Sequence, residues 1–299
     1  MAVVGHVEWA EFVSVAMVPE AGDIVHDREG WSGAAGGGAV AAVQVAKMTG
    51  GCDFFTAVGD DDLGAGVAAE LGRHGVFVHA AQREVAQRRA FVFIDDEGER
   101  TITTIGQRQG AAGRDPLPWA VLGEADAVYF TAGDAEALRR ARQARHLVAT
   151  VRARATLAEA GVKVDVLVAS ENDKGERFVR GGLDPQPTWV VRTDGARGGT
   201  VEDIDGNVVP WQTRSLANQP VPGDSPTEPP VTEPGDNYGA GDSFAAGLTC
   251  GLGMGFNLTR AIELGAYCGA CATRGRAPFG GQATAADLPH WREVFGITD

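Results

Sequence analysis

The residues best suited to chemistry lie near the C-terminal end, in Asp236-Asn237-Tyr238-Gly239-Ala240-Gly241-Asp242-Ser243-Phe244-Ala245-Ala246-Gly247. Two glycines flank an alanine, and an acid follows at once. Glycine lets a backbone turn sharply and lets a phosphate approach with no Cβ in the way. Ala245, Ala246 and Leu248 then begin a small-residue helix. Its unpaired N–H groups and positive dipole end point at whatever sits before it. A carboxylate in an anion-binding turn works against anion binding alone. It makes sense if Asp242 takes a proton from a hydroxyl while the amides of Gly239, Ala240 and Gly241 stabilise a phosphoryl group under attack. The plainer alternative is a helix entry with an acid in its first turn. Phe244 and Gly247 in phase with the glycines favour the chemical reading.

The elements that must position these residues follow from apolar patterning. Strands are expected at Ala2–Gly5, Glu11–Val18, Asp53–Val58, Ala127–Phe130, Val164–Val168 and Trp189–Thr193, and helices at Val40–Met48, Leu63–His74, Ala135–Val148 and Val151–Ala160. Asp96-Glu97-Gly98-Glu99 and Asp205-Gly206-Asn207 read as hairpin turns. Asn218–Pro234 is rich in proline and polar residues and reads as a surface loop ahead of the glycine turn. Strands alternating with helices predict a mainly parallel, doubly wound α/β sheet.

The long motif resembles the second signature of the ribokinase/PfkB family of carbohydrate and nucleoside kinases, Asp-Thr-x-Gly-Ala-Gly-Asp-x-Phe-x-x-Gly, departing from it at Asn237. Further blocks follow in family order. Gly36-Gly37-Gly38-Ala39 resembles the glycine motif leading into the sugar-site helix, and Val58-Gly59-Asp60 with Gly64 resembles Val-Gly-x-Asp-x-x-Gly. The hairpin at Asp95–Thr101 resembles the family's β lid. Ser170 and Asp173 stand where Asn and Glu are usual, and Thr193-x-Gly195-x-x-Gly198 resembles the nucleotide loop.

The resemblance implies one ribokinase-like domain over residues 1–299, with a β lid from about 8–32 and 87–108. It implies ATP- and Mg2+-dependent phosphorylation of a hydroxyl on a sugar or sugar derivative. Asp242 is then the general base and the 239–241 amides form the anion hole. Thr193, Gly195 and Gly198 would cradle the nucleotide, and Ser170 and Asp173 would organise the metal through its waters. Asp236 would contribute to a K+ site beside the anion hole, and Gly37 and Gly38 would border the acceptor. The resemblance leaves a homodimer through the β lid open. Two expected hydroxyl-binding positions hold Ala10 and Ala41; Glu8 or Glu11 could supply the carboxylate instead, and Trp9 and Trp31 could offer stacking faces. Arg88, Arg89, Arg100 and Arg108 surround the lid and could bind an acidic or phosphorylated acceptor. A nucleoside kinase and a non-catalytic ligand-binding protein are the alternatives.

Composition bounds the partners. The 299 residues carry 40 acidic and 26 basic side chains, a formal net charge of −14, which repels nucleic acid and anionic membranes. It also repels ATP at long range, so a nucleotide site needs local amides and cations. The 44% hydrophobic content suits a globular enzyme, and no apolar run is long enough to span a membrane. No basic region followed by an apolar stretch opens the chain, so a cytoplasmic location with reduced thiols is expected. Cys268-x-x-Cys271 has metal or redox spacing but no second pair completes it, and its small-residue surroundings read as a buried helix.

Overall fold

The computed structural model describes residues 1–213, 235–276 and 278–295, so the expected loop at Asn218–Pro234 lies outside the described residues. In chain order the elements are β1 (Ala2–Val4), β2 (Glu8–Ser14), β3 (Glu29–Ala35), α1 (Gly37–Thr49), β4 (Cys52–Gly59), α2 (Asp62–Arg73), β5 (Val76–Arg83), β6 (Arg89–Ile94) and β7 (Arg100–Ile105). Then follow β8 (Ala127–Phe130), α3 (Ala135–Ala141), β9 (His146–Thr150), α4 (Arg154–Ala160), β10 (Val166–Ser170), β11 (Trp189–Thr193), β12 (Gly199–Glu202), β13 (Val208–Trp211), α5 (Ala240–Gly253), α6 (Leu258–Ala272) and α7 (Leu288–Phe295).

Nine strands make one sheet in the order β13-β12-β11-β10-β9-β8-β1-β4-β5. The pairs from β11 to β5 are parallel, and β12 and β13 close one edge as an antiparallel hairpin. Inner strands such as β1 and β8 are apolar along their whole length because both faces are covered. Val40, Val43, Leu248 and Leu264 of α1, α5 and α6 pack in one core layer, and Leu138 and Leu157 of α3 and α4 in the other. α5 and α6 approach closely because glycines line their seam: a Cβ on Gly247 would lie 2.7 Å from Cys268 Sγ. All four cysteines are free and buried, so the Cys-x-x-Cys spacing serves packing.

A second sheet, ordered β3-β2-β6-β7, stands apart from the first. β6 and β7 form the expected hairpin, whose turn is fixed by Asp95 Oδ1 accepting from the Glu97 and Glu99 amides. β2 begins at Glu8 and ends at Ser14, upstream of the expected Glu11–Val18, because it pairs with β3 from Glu8 onward.

The expected helix over Ala135–Val148 is shorter than its pattern. It stops at Ala141, and His146–Thr150 is strand β9, held between β8 and β10. Leu147, Val148 and Ala149 are fully buried there, and such a short apolar run carries no period that separates strand from helix. β5, on the far edge beside β4, is another strand the pattern did not mark.

Candidate active site

A cleft of about 1620 Å³ opens at the carboxyl ends of the central strands, on the side covered by the small sheet. β1 is where the strand order reverses, since β4 lies on one flank and β8 on the other. Ligands of open α/β sheets bind at such a switch point. The residues that follow or end β1, β8, β9, β10 and β11 (His6, Thr131, Arg152, Ser170 and Thr193) all line the cleft.

Gly239, Ala240, Gly241 and Asp242 form part of its lining, at the start of α5. Gly239 is the N-cap in the left-handed region, φ +74, and a Cβ there would also strike Val40. The first bond of the helix ladder runs from Ser243 N to Gly239 O at 2.8 Å, so the preceding amides have no place in that ladder. A Cβ on Gly241 would meet nothing within 4 Å, so this residue opens directly onto the cleft. Asp242 is half-buried in the first turn. Withdrawal from water pushes its carboxyl up to about 6, and the charge of Glu176 adds to this, while Arg152 and Arg100 pull the other way. A base that titrates near neutrality suits proton abstraction.

Thr193 and Gly195 face the cleft from the end of β11, and the Thr193 hydroxyl donates to Ala169 O at 3.3 Å. Gly198 does not line it. Its φ of +91 and the Trp211 carbonyl 2.3 Å from a built Cβ make it a glycine of the β11–β12 turn. Ser170 and Asp173 line the cleft together, with Ser170 Oγ accepting from the Asp173 amide at 3.3 Å. Asp173 and Glu176 both pair with Arg152. Among the described residues no three acidic, histidine or cysteine side chains converge into a ready metal cage. Carboxylates such as Asp173 and Glu176, set in a nucleotide cleft, fit Mg2+ held mainly by waters and phosphate oxygens.

On the acceptor side the pleat of β2 sorts the candidates. Glu8 lines the cleft, is only 5% exposed, and accepts from Arg88 Nε at 2.9 Å. Glu11 is absent from the cleft wall and faces Arg89 on the small sheet at 3.6 Å. Trp9 likewise lies on the other face, its ring against Gly66 of α2. Both are three or fewer residues from Glu8 but of opposite parity, and successive strand residues point to opposite faces. Trp31 stacks on Phe12 with centroids 5.5 Å apart, so neither tryptophan presents a ring to the acceptor. Gly37 borders the cleft, and a Cβ on it would stand 2.7 Å from Asp242 Oδ1. Gly38 packs beneath, where a Cβ would collide with the His6 carbonyl. Ala10 and Ala41 are fully buried core residues.

Several groups were not singled out from the sequence. Thr131 Oγ1 is buried at the cleft without a hydrogen-bond partner. Arg152 and Glu176 also line it, as do Lys174 and Asn172. Arg152 could have been found had β9 been read as a strand, because a residue just past a buried parallel strand reaches the ligand edge. Asp236 is buried and accepts from the Tyr238 amide at 2.8 Å. It lines a smaller neighbouring cavity of about 490 Å³ and not the main cleft. Asn237, the departure from the motif, donates its side-chain amide to Glu99 at 2.9 Å, and its carbonyl accepts from Arg100 at 2.9 Å. The glycine turn is thereby tied to the β6–β7 hairpin.

The sequence profile described as pfkB family carbohydrate kinase matches residues 1–179 and 222–278. An ATP-dependent ribose-1-phosphate kinase from Halopiger xanaduensis is 26% identical over 286 residues, spanning 91% of this chain and 90% of that protein. Among solved structures, a ribokinase from Thermotoga maritima superposes with a TM-score of 0.74 at 19% identity, covering 98% of each chain. A nucleoside kinase from Methanocaldococcus jannaschii gives 0.69 at 15% identity, covering 98% of this chain and 97% of that one. At these identities the solved structures speak for the fold.

Proposed function

This chain belongs to the pfkB family of carbohydrate kinases, phosphotransferases that act on hydroxyl groups, and from that premise we propose that it phosphorylates a sugar or sugar derivative with ATP, using Asp242 as general base. The observation that carries this reading is the placement of Asp242 within the first turn of α5, immediately after the open Gly241, on a cleft that also holds Thr193 and Gly195. The acceptor hydroxyl is positioned between Asp242 and the 239–241 amides. Asp242 takes its proton as the oxygen attacks, and the amides and α5 dipole stabilise charge on the transferred group. Arg152 pairs with both Asp173 and Glu176 beside Asp242 and offsets part of their negative charge there. Mg2+, when bound, would neutralise the nucleotide phosphates near Asp173 and Glu176. K+ beside Asp236 belongs to the same reading, and its activation is tested by replacing potassium with a large organic cation at fixed magnesium.

The nucleoside alternative is weakened by the packing of Trp9 and Trp31, which removes both as stacking faces for a base on the acceptor side. The non-catalytic alternative is weakened by the intact turn at 239–242. The test is ADP release across ribose, ribose phosphates, sugar acids and nucleosides; the ribose-1-phosphate kinase relative makes furanose phosphates natural members of the panel. Turnover that Asp242→Asn lowers about 10²–10⁴-fold supports the reading. Undiminished turnover in that variant removes Asp242 from the mechanism.

A further inference from the structure

The acceptor end of the cleft is unusual for a chain with a net charge of −14. Arg88, Arg108 and Arg152 line the cleft from three separate places: the approach to β6, the segment after β7, and the turn after β9. Their carboxylate partners are unevenly shared. Glu8 pairs with Arg88, and Asp173 and Glu176 pair with Arg152. Arg108 has no carboxylate within ion-pair distance among the described residues. Burial first, then the like charges of Arg88 and Arg152, disfavour its charged form, and the more weakly felt carboxylates of Glu8 and Asp242 offset this only in part.

His6 supplies a second, independent sign. It is 91% buried, by an exposure of 9%, and lines the same end of the cleft. Its Nδ1 has no hydrogen-bond partner. Burial first, then Arg108, Arg88 and Arg152, push its imidazole down to about 3. The ring is therefore neutral at physiological pH and still has an unfilled hydrogen-bonding position. A guanidinium without an ion-pair partner and an unsatisfied imidazole that feels its charge describe a site built for an anion that completes both.

We propose that the acceptor carries a phosphate group and that Arg108, flanked by Arg88 and Arg152 and backed by His6, binds it. The inference rests on the kinase reading above and names the substrate class of that cleft. His6 follows β1, three strands from β10 and its Ser170, a separation of roughly 14 Å at normal strand spacing. The His6 end of the site is therefore separated from Ser170 and the nucleotide loop, with Arg152 just past the end of the intervening β9, and the phosphate bound at that end is assigned to the acceptor. Guanidiniums arriving from three directions suit the three terminal oxygens of a phosphate monoester better than the two of a carboxylate. An uncharged sugar leaves Arg108 desolvated and unpaired, so the site selects against it.

The experiment compares D-ribose, D-ribose 1-phosphate, D-ribose 5-phosphate, D-ribonate and adenosine as acceptors for the full chain. One of the two esters is expected to exceed ribose in kcat/KM by at least about 100-fold, the scale of one or two charge-assisted hydrogen bonds. Arg108→Ala is expected to shrink that ester-to-ribose ratio about tenfold or more, and Arg108→Lys to recover part of it. Because Arg108 has no partner to lose, its alanine variant should melt no lower than the parent. Calorimetric titration of the Asp242→Asn protein, which need not turn over, should show the ester binding more tightly than ribose, with the difference reduced by added Arg108→Ala. Ribose, ribonate or adenosine performing as well as both esters overturns the proposal, as does an unchanged ester-to-ribose ratio in Arg108→Ala. If Asp242→Asn stays active while the ester preference persists, the base assignment fails and the phosphate site stands. If that variant is inactive and neither ester binds better than ribose, the phosphate site fails and the base stands.

Discussion

Gly37 and Asp242 are separated by more than 200 positions yet compete for one volume: a Cβ on Gly37 would stand 2.7 Å from Asp242 Oδ1 and 3.2 Å from Cγ. The missing side chain at the start of α1 is the space in which the α5 carboxylate sits. The two glycine-rich motifs thus meet face to face, and Tyr238 joins them again by accepting from the Gly36 amide at 3.0 Å.

Gly37→Ala is therefore expected to displace Asp242 with little harm to the fold. A misplacement of about 1 Å in a reacting group costs on the order of 10²-fold. The fall should appear in kcat, while the melting temperature stays near that of the parent. A variant with parental kcat would show that Asp242 does not act from the position seen here.

The pH profile tests Asp242 directly. A general base must be ionised, so kcat/KM is expected to fall about tenfold per pH unit below about 6, the value to which burial raises this carboxyl. The stability effect has the opposite sense. The folded state holds the proton more tightly than the unfolded state, whose Asp titrates near the ordinary aspartate value of 3.8. The stabilising contribution of the protonated form is present below 3.8 and is lost as pH rises toward about 6. At pH 7.5 Asp242→Asn should consequently melt higher than the parent while turning over far more slowly. A lower melting temperature would place Asp242 in a structural role.

Gly239 and Gly241 should separate cleanly. Gly241→Val adds atoms only to open space at the cleft, so activity should fall with the melting temperature unchanged. Gly239→Ala meets both a left-handed backbone and Val40, and should cost stability of about 1–2 kcal/mol or more. Denaturant titration of the two variants checks the contrast.

Glu8→Gln and Glu11→Gln test the pleat. Glu8 faces the cleft and holds Arg88, so its loss should raise the acceptor KM about ten- to a hundred-fold. Glu11 points to the opposite face and pairs only with a surface arginine, so its KM should match the parent's. A selective effect at Glu11 would mean that β2 is registered differently when the acceptor is bound.

The glycine turn at 239–242 was legible because its chemistry needs a rare combination, small residues followed at once by an acid. The acceptor side was less so. Glu8 and Glu11 are equally acidic, and only the pairing of β2 with β3 and β6 decides which one faces the cleft. Arg152 stayed hidden because the short run Leu147-Val148-Ala149 follows an Ala- and Arg-rich stretch that continues a helical pattern on paper. Its burial between two neighbouring strands makes it β9 instead. Thr131 Oγ1 stands out only through its lack of a partner, a property no sequence displays.

The buried thiols offer one more use. Cys250 belongs to α5, Cys268 and Cys271 belong to α6, and Cys52 begins β4, all of them at 1% exposure or less. Burial raises all four thiols, to about 12 for Cys250 and Cys271, which keeps the reactive thiolate scarce in the folded chain. A thiol-directed dye can therefore react only when this packing opens, and its rate is a clock for the opening of the core shared by α5, α6 and β4. Since α5 carries Asp242 and the anion turn at its start, dye uptake reports whether the scaffold of the reacting groups is intact before any acceptor has been identified.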